Sequence, residues 1–303
     1  FFFQAEDGIR DQPRSRGSEM CIRDRVCLMD KSILITGCSS GLGYDAAHGL
    51  RKRGWRVFAT CRNELDCEKL RKEGLESFKL DYDDSDSIKL AVEYVVNNNN
   101  GVLGALFNNG AFACPGAVED LPRDALRAIF ETNFFGYHEL TKEIIPLMRA
   151  QGYGRIINCS SVLGIVPLKW RGAYNATKFA LEGLTQTLRL EMRGSPVDVI
   201  LLNPGPVTSK IRENSIPHFE KWINWRNSVW AEHYEATLIG RLRQKSTINK
   251  FELPASAVTE KLLLALESQK PAPSYYITKP TYFMALMRRV LPTSLLERLL
   301  ATI

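Results

Sequence analysis

The chain has 303 residues, 45% of them hydrophobic and 24% charged, with a formal charge of +6. That is the make-up of a globular protein of one large or two modest domains, and its interspersed acids and bases lack the clustered basic footprint of a nucleic-acid binder. The seven cysteines are scattered without a C-x-x-C or a zinc spacing, and no apolar run is long enough for a membrane span, so reduced thiols, no metal and a cytoplasmic setting are expected.

Residues 1–25 (FFFQAEDGIRDQPRSRGSEMCIRDR) share no periodicity with the rest of the chain and lack a signal-peptide core. They resemble translated adapter DNA and are set aside as a non-native leader, with the native start expected at Met29. A single domain is expected over 29–303. Residues 31–36 (KSILIT) form a short β-branched run, as a buried parallel strand does. The run enters Gly37-Cys38-Ser39-Ser40-Gly41-Leu42-Gly43 and then a helical stretch to about Arg53. A strand, a glycine-rich turn and a helix together make a phosphate-binding arrangement. The glycines let backbone approach a pyrophosphate, and the helix N-terminus supplies amides and a positive dipole. The spacing is T-G-x-x-x-G-x-G rather than G-x-G-x-x-G.

The second strand, 55–60 (WRVFAT), is followed by Cys61 and Arg62, with no acid before Glu64. A carboxylate there would read a free ribose 2′-OH, whereas an arginine accommodates a 2′-phosphate. The cofactor expected is therefore NADP(H). The third strand, 78–81, ends in Asp81, placed to border an adenine pocket. A helix over 85–96 has Ser85 or Ser87 as its candidate cap. The fourth strand, 102–107, leads into Asn108-Asn109-Gly110-Ala111, small enough for close backbone approach. A single long helix is predicted over 124–148, with Asn133 on its apolar face and Pro146 kinking or ending it.

The fifth strand, 154–160, delivers Ser160 and Ser161. A helix over 174–193 then places Tyr174 and Lys178 four apart on one face. An ammonium beside a phenol favours phenolate, so Lys178 is expected to lower the Tyr174 pKa. The sixth strand, 197–202, ends at Asn203-Pro204-Gly205-Pro206-Val207. Every motif so far falls at a strand C-terminus, where open parallel sheets gather ligands. Residues 209–250, rich in aromatic side chains, read as a helical lid over the site. A helix over 254–268 and a strand over 274–278 come next. The segment 280–303 is amphipathic; docking on the protein itself ranks first for it, ahead of an oligomer contact or a peripheral membrane surface. The fold class expected is a doubly wound α/β Rossmann-type parallel sheet.

These residues resemble the short-chain dehydrogenases/reductases from about Lys31 to Ser209. FNNGA, ETNFFG, SSVLG, RGAYNATKFALEG and NPGPV carry the likeness, which is nearest to bacterial NADP-dependent aldehyde-reductase-like members similar to 17β-hydroxysteroid and retinol dehydrogenases. The resemblance implies a catalytic set of Asn133, Ser161, Tyr174 and Lys178. Ser161 is preferred to Ser160 because it lies thirteen residues before Tyr174. The resemblance also implies cofactor contacts from Gly37, Ser39, Ser40, Gly41, Leu42, Gly43, Arg62, Asp81, Asn109, Gly110, Ala111, Tyr174, Lys178, Pro204, Gly205, Val207 and Ser209. Asn133 would anchor a water in a proton relay to Lys178. The family's Asn-Asn-Ala-Gly has its last two residues exchanged here, and its hydroxyl after Pro-Gly-x-Val falls on Ser209 or the adjacent Thr208. An apolar carbonyl or alcohol substrate and a homodimer or homotetramer are implied. Alcohol oxidation is the alternative direction. A non-catalytic NADP(H) sensor on the same fold, or a nucleotide-sugar epimerase relative, fits these residues less well.

Overall fold

The computed structural model describes residues 30–240 and 250–302; the leader and the expected start at Met29 lie outside them. The apolar runs become seven short strands: β1 (Ser32–Ile35), β2 (Arg56–Cys61), β3 (Glu76–Lys79), β4 (Ala105–Asn108), β5 (Gly154–Cys159), β6 (Val197–Asn203) and β7 (Ser274–Tyr276). They form one sheet in the order β3-β2-β1-β4-β5-β6-β7, and every pairing is parallel. The order turns back between β1 and β4, which opens a crevice at their C-terminal ends.

Successive strand side chains point to opposite faces. Ile33 and Ile35 therefore pack with Ala47 and Leu50 of α1 (Gly41–Lys52) and with Val258 and Leu262 of a later helix, α10 (Ser256–Glu267). Leu34 faces the other layer, with Ile88 of α3 (Ser85–Asn98) and with Tyr137, Leu140 and Leu181. Two covered faces explain why the strands read as unbroken apolar runs. α2 (Glu64–Lys72) covers β2 and β3 at the sheet edge. A charged side chain of the sheet is buried as well. Arg155 of β5 is 3% exposed and donates to the carbonyls of Ala265, Leu266 and Ser268. Those groups lie at the C-terminal end of α10, where unpaired carbonyls and the helix dipole favour a cation.

The expected helix over 124–148 is broken. α4 (Arg123–Phe130) passes into a π turn (Glu131–Phe135) and then α5 (Gly136–Gln151). The interruption falls at Asn133 rather than at Pro146, which α5 passes through for five further residues. Pro146 is exposed, so water can reach the backbone carbonyl that its missing N–H leaves unpaired. The cap of α3 is neither serine: Asp84 accepts from the amides of Asp86 and Ser87, while the Ser87 hydroxyl accepts from the Asp81 amide.

α6 (Gly172–Glu191) comes after β5. Beyond β6 the chain forms α7 (Ile211–Asn214), α8 (Ile216–Trp222), a short turn of helix α9 (Ala231–His233) and a second π turn (Tyr234–Ile239). Residues 241–249 of the expected lid lie outside the described residues. The tail is a pair of helices, α11 (Lys279–Val290) and α12 (Thr293–Ala301). No helix among the described residues is long and apolar enough to cross a membrane.

Candidate active site

The turn after β1 is built by backbone packed on backbone. Gly37 and Gly41 hold φ of +68° and +61°, in the left-handed region that glycine enters without strain. A Cβ on Gly37 would come within 2.5 Å of the Gly110 Cα, and one on Gly43 would strike the Gly37 carbonyl. A Cβ on Gly110 would approach Gly37 only to 3.3 Å, so the Gly110–Ala111 exchange leaves the closest approach intact. No side chain caps α1, although Ser40 stands at its N-cap, and no acid lies in its first turn. Its first-turn amides and those of the Ser39–Leu42 stretch face the crevice as a ready anion site.

A buried polar chain supports this turn from behind. Thr36 Oγ1 meets the Tyr82 hydroxyl at 2.7 Å, and Tyr82 donates to Asn108 Oδ1 at 2.8 Å. Asn108 Nδ2 donates to Asn158 Oδ1 at 2.9 Å, and Asn158 donates to Thr185 at 3.0 Å. Thr36 Oγ1 also receives the amides of Asn109 and Gly110, and Asn109 Nδ2 donates to the Thr36 carbonyl. The chain ties β1, β4, β5 and α6 together below the crevice. Sequence reasoning named Asn108, Asn109 and Gly110 of it, for their small size and place rather than for these bonds. A signal for the rest existed in the polar residues ending apolar strands.

At the rim, Arg62 is exposed just beyond β2. The nearest acid, Glu64, is held by Arg71 at 2.5 Å. The Asp81 carboxylate accepts from the Asp83 amide in a local turn. On the opposite side, a Cβ on Gly41 would meet Ser209 at 3.4 Å. Thr208 is committed to Glu252 at 2.9 Å. Ser209 is therefore the hydroxyl facing the turn. Pro204, Gly205 and Val207 follow the end of β6, and the Pro204 carbonyl accepts from the Val162 amide at 2.8 Å. Gly205 leaves room for Thr278 and Thr281, which a Cβ there would strike; Val207 bridges Leu253.

Tyr174 and Lys178 lie one helical turn apart on α6, facing the end of β5. Lys178 is 1% exposed, and its Nζ donates to the Cys159 carbonyl at 2.7 Å. The same Nζ lies 5.5 Å from the centre of the Tyr174 ring and 5.3 Å from that of Tyr137. Burial pulls the Lys178 pKa down to about 8 against the opposing pull of Cys159 and Glu182. Burial also pushes the Tyr174 phenol up, opposed by a hydrogen bond with Ser161. The expected lowering of Tyr174 by Lys178 is thus reversed in this structure: desolvation disfavours both charged forms, and the ammonium is engaged with a carbonyl rather than the phenol oxygen.

The two serines separate. Ser161 Oγ is half-buried, meets Tyr174 and accepts from the Leu163 amide at 3.1 Å. Ser160 is buried behind Gly164 with its hydroxyl unpartnered. Asn133 is 0% exposed. Its Oδ1 accepts from the Phe112 amide, and its Nδ2 donates to the Phe112 carbonyl and to Thr177. Through these bonds the side-chain amide pins Phe112, directly after the Asn109–Ala111 stretch, to α6.

The segment beyond β6 packs against this group from one side. Tyr174 packs against a cluster that includes Phe112, Phe219, Ile223 and Tyr234. The fully buried Tyr234 accepts from the Ala117 amide at 2.7 Å and donates to Asp120 at 2.6 Å. His218 stacks on Phe112 at 3.8 Å. Burial lowers its pKa, with Arg62 and Lys221 adding to the effect. Trp170, at φ +64° just before α6, stacks on His233 at 4.1 Å. No sequence pattern joined these residues, since they meet only in the fold.

Known proteins share the same outline. A family model described as short chain dehydrogenase matches residues 31–219. An uncharacterized oxidoreductase of Escherichia coli K12, YbbO, is 33% identical over 273 residues, covering 90% of this chain and 95% of the relative. Retinol dehydrogenase 16 of Mus musculus is 31% identical, covering 90% and 88%. The crystal structure of a short-chain dehydrogenase from Streptomyces avermitilis superposes with a TM-score of 0.71 at 25% identity, covering 86% and 92%.

Proposed function

The chain belongs to the short-chain dehydrogenase family and is an oxidoreductase of that type, and on that premise we propose that it reduces an apolar aldehyde or ketone with NADPH. The observation that carries this reading is the meeting of Tyr174, Ser161 and Lys178 beside a crevice too tight for a Cβ at Gly37 or Gly43. A hollow walled by bare backbone and ending at an uncapped helix fits a dinucleotide pyrophosphate. Bound NADPH supplies the hydride for the carbonyl carbon. Tyr174 gives its phenolic proton to the carbonyl oxygen, so hydride and proton together complete the alcohol. Tyr174 holds its proton at neutral pH, the state from which it donates in reduction. Ser161 donates to the same oxygen as charge grows on it. Lys178 returns a proton toward Tyr174 and, by family resemblance, holds the nicotinamide ribose. Asn133 keeps Phe112 and the adjoining rim in place.

NADP(H) is favoured over NAD(H) by Arg62, which enters no salt bridge among the described residues, the next acid in sequence, Glu64, being bound to Arg71. An apolar substrate is favoured by the walls on either side of Ser161 and Tyr174. One is the lid cluster around Phe219 and Ile223; the other is Val162, Ile165 and Val166. Pairing of two copies is favoured by an apolar groove between α5 and α6, lined by Ile145, Leu184 and Leu188.

Tyr174→Phe is expected to lower kcat by about 10³-fold in a carbonyl panel followed by NADPH consumption, a loss typical of a missing general acid. NADPH binding by fluorescence titration should stay within about twofold; substantial residual turnover would remove Tyr174 from its role. Arg62→Ala should lower the ratio of kcat/KM for NADPH over NADH about tenfold, the worth of one charge-assisted contact. An unchanged ratio would refute the NADP(H) reading while leaving the oxidoreductase assignment untouched.

A further inference from the structure

The tail helix α11 is apolar on two faces. Its inner side, with Thr281 and Ala285 buried, continues into a cluster of Met284, Met287, Leu291, Leu296 and Leu300 packed on Val162, Ile165 and Val166. That contact is the docking expected first of this segment, and Lys169 Nζ fastens the end of α12 by donating to the Ala301 carbonyl at 2.8 Å. The outer side should then be polar, and it is not. Tyr282, Phe283, Leu286 and Val290 are 51%, 48%, 54% and 59% exposed. At 100° per residue these four fall within roughly 100° of arc, with Lys279 among them and Arg289 just beyond. The tail from residue 279 carries four bases, Lys279, Arg288, Arg289 and Arg298, against one acid, Glu297. Salt bridges among the described residues involve none of the four.

An aromatic and aliphatic stripe bordered by unpaired cations matches an anionic lipid interface. Rings settle at the headgroup level, aliphatic side chains enter the acyl boundary, and Lys and Arg reach lipid phosphates. A second copy of the chain would bring like-charged bases together across such a face. We propose that the outer face of α11 docks the protein on an anionic phospholipid surface. The inner face of the same helix lies against the segment directly after Ser161, so the docked enzyme holds one wall of its active site next to the bilayer. An apolar substrate partitioned into lipid then reaches the site from that side. The proposal does not depend on which nicotinamide cofactor is used.

The test is flotation of the full chain with vesicles of phosphatidylcholine and phosphatidylglycerol at 7:3, against phosphatidylcholine alone. Binding to the anionic vesicles that weakens with salt is expected. Phe283→Ser with Leu286→Ser should lower partitioning more than about tenfold. Lys279→Gln with Arg289→Gln should lower it by roughly fivefold per charge and guards against misfolding of the first variant. Both should keep wild-type turnover of a short water-soluble aldehyde. Absent binding to anionic vesicles, or equal binding by both variants, overturns the proposal. So does a loss of oligomer in sedimentation by the Phe283/Leu286 variant without vesicle binding by the wild type, which would assign the face to a second copy.

Discussion

Around Gly37 the chain is held by backbone lying on backbone; around Tyr234 it is held by side chains reaching across 114 and 117 positions of sequence. The first region tolerates no added carbon at its closest point, and a buried polar chain from Thr36 to Thr185 fixes it from below. The second rests on one phenol, one carboxylate and a few stacked rings. A site for a dinucleotide shared by many enzymes calls for fixed backbone, because the amides themselves are the contact. A wall facing a variable substrate can be made of side chains, which change one at a time without moving the sheet.

The contrast is broken most directly at Gly37. Gly37→Ala adds a carbon 2.5 Å from Gly110 at a positive φ and should weaken NADPH binding at least about 100-fold, or cost about 1–3 kcal/mol of stability from the strained backbone. Gly110→Ala meets its neighbours at 3.3 Å or more and should keep binding within a few-fold. Equal effects, by calorimetric titration and thermal melts, would mean the cradle is not set by that contact. The pH profile comes next. Below about 8 Lys178 is an ammonium, and above it the proton is lost. Reductive kcat/KM should therefore be flat on the acid side and fall as pH rises through about 8, by up to about tenfold per unit. A profile flat to pH 10 would detach Lys178 from the proton path. The smallest effect is expected at the lid. Tyr234→Phe leaves the Ala117 amide without its partner and removes one of the donors to Asp120, which keeps Ser228, and should cost about 1 kcal/mol. It should raise substrate KM a few-fold with the cofactor Kd unmoved, and a cofactor effect as large as the KM effect would erase the distinction between the two regions.

This division also governs what could be read from sequence. Gly37, Gly41, Gly43, Asn109, Ser161, Tyr174 and Lys178 announce themselves because each sits at a fixed offset from a strand end, and the parallel sheet follows from the alternation of strands and helices. Asp120 and Tyr234 do not, because nothing local marks two residues that meet only after folding. Local rules also misled at particular points. Pro146 suggested a break that an exposed position tolerates. Ser85 and Ser87 stood near a cap that Asp84 takes. The Tyr174–Lys178 pair suggested a Coulombic lowering of the phenol, because spacing conveys proximity but not burial.

The π turn at Glu131–Phe135 has a geometric consequence of its own. The buried residues on this stretch include Ala125, Ile129, Asn133, Tyr137 and Thr141, a strict period of four. An unbroken α-helix has 3.6 residues per turn, so over the twelve residues from Ala125 to Tyr137 that stripe would drift roughly 120° around the axis. The wider turn works as a vernier, letting one stripe face the lid cluster through Ile129 and the sheet through Tyr137. Asn133 sits on the graduation where the phase is corrected. A one-residue deletion anywhere between Phe130 and Gly136 would rotate either Asn133 or the whole of α5 out of step, so the length of this stretch is specified as tightly as the identity of its asparagine.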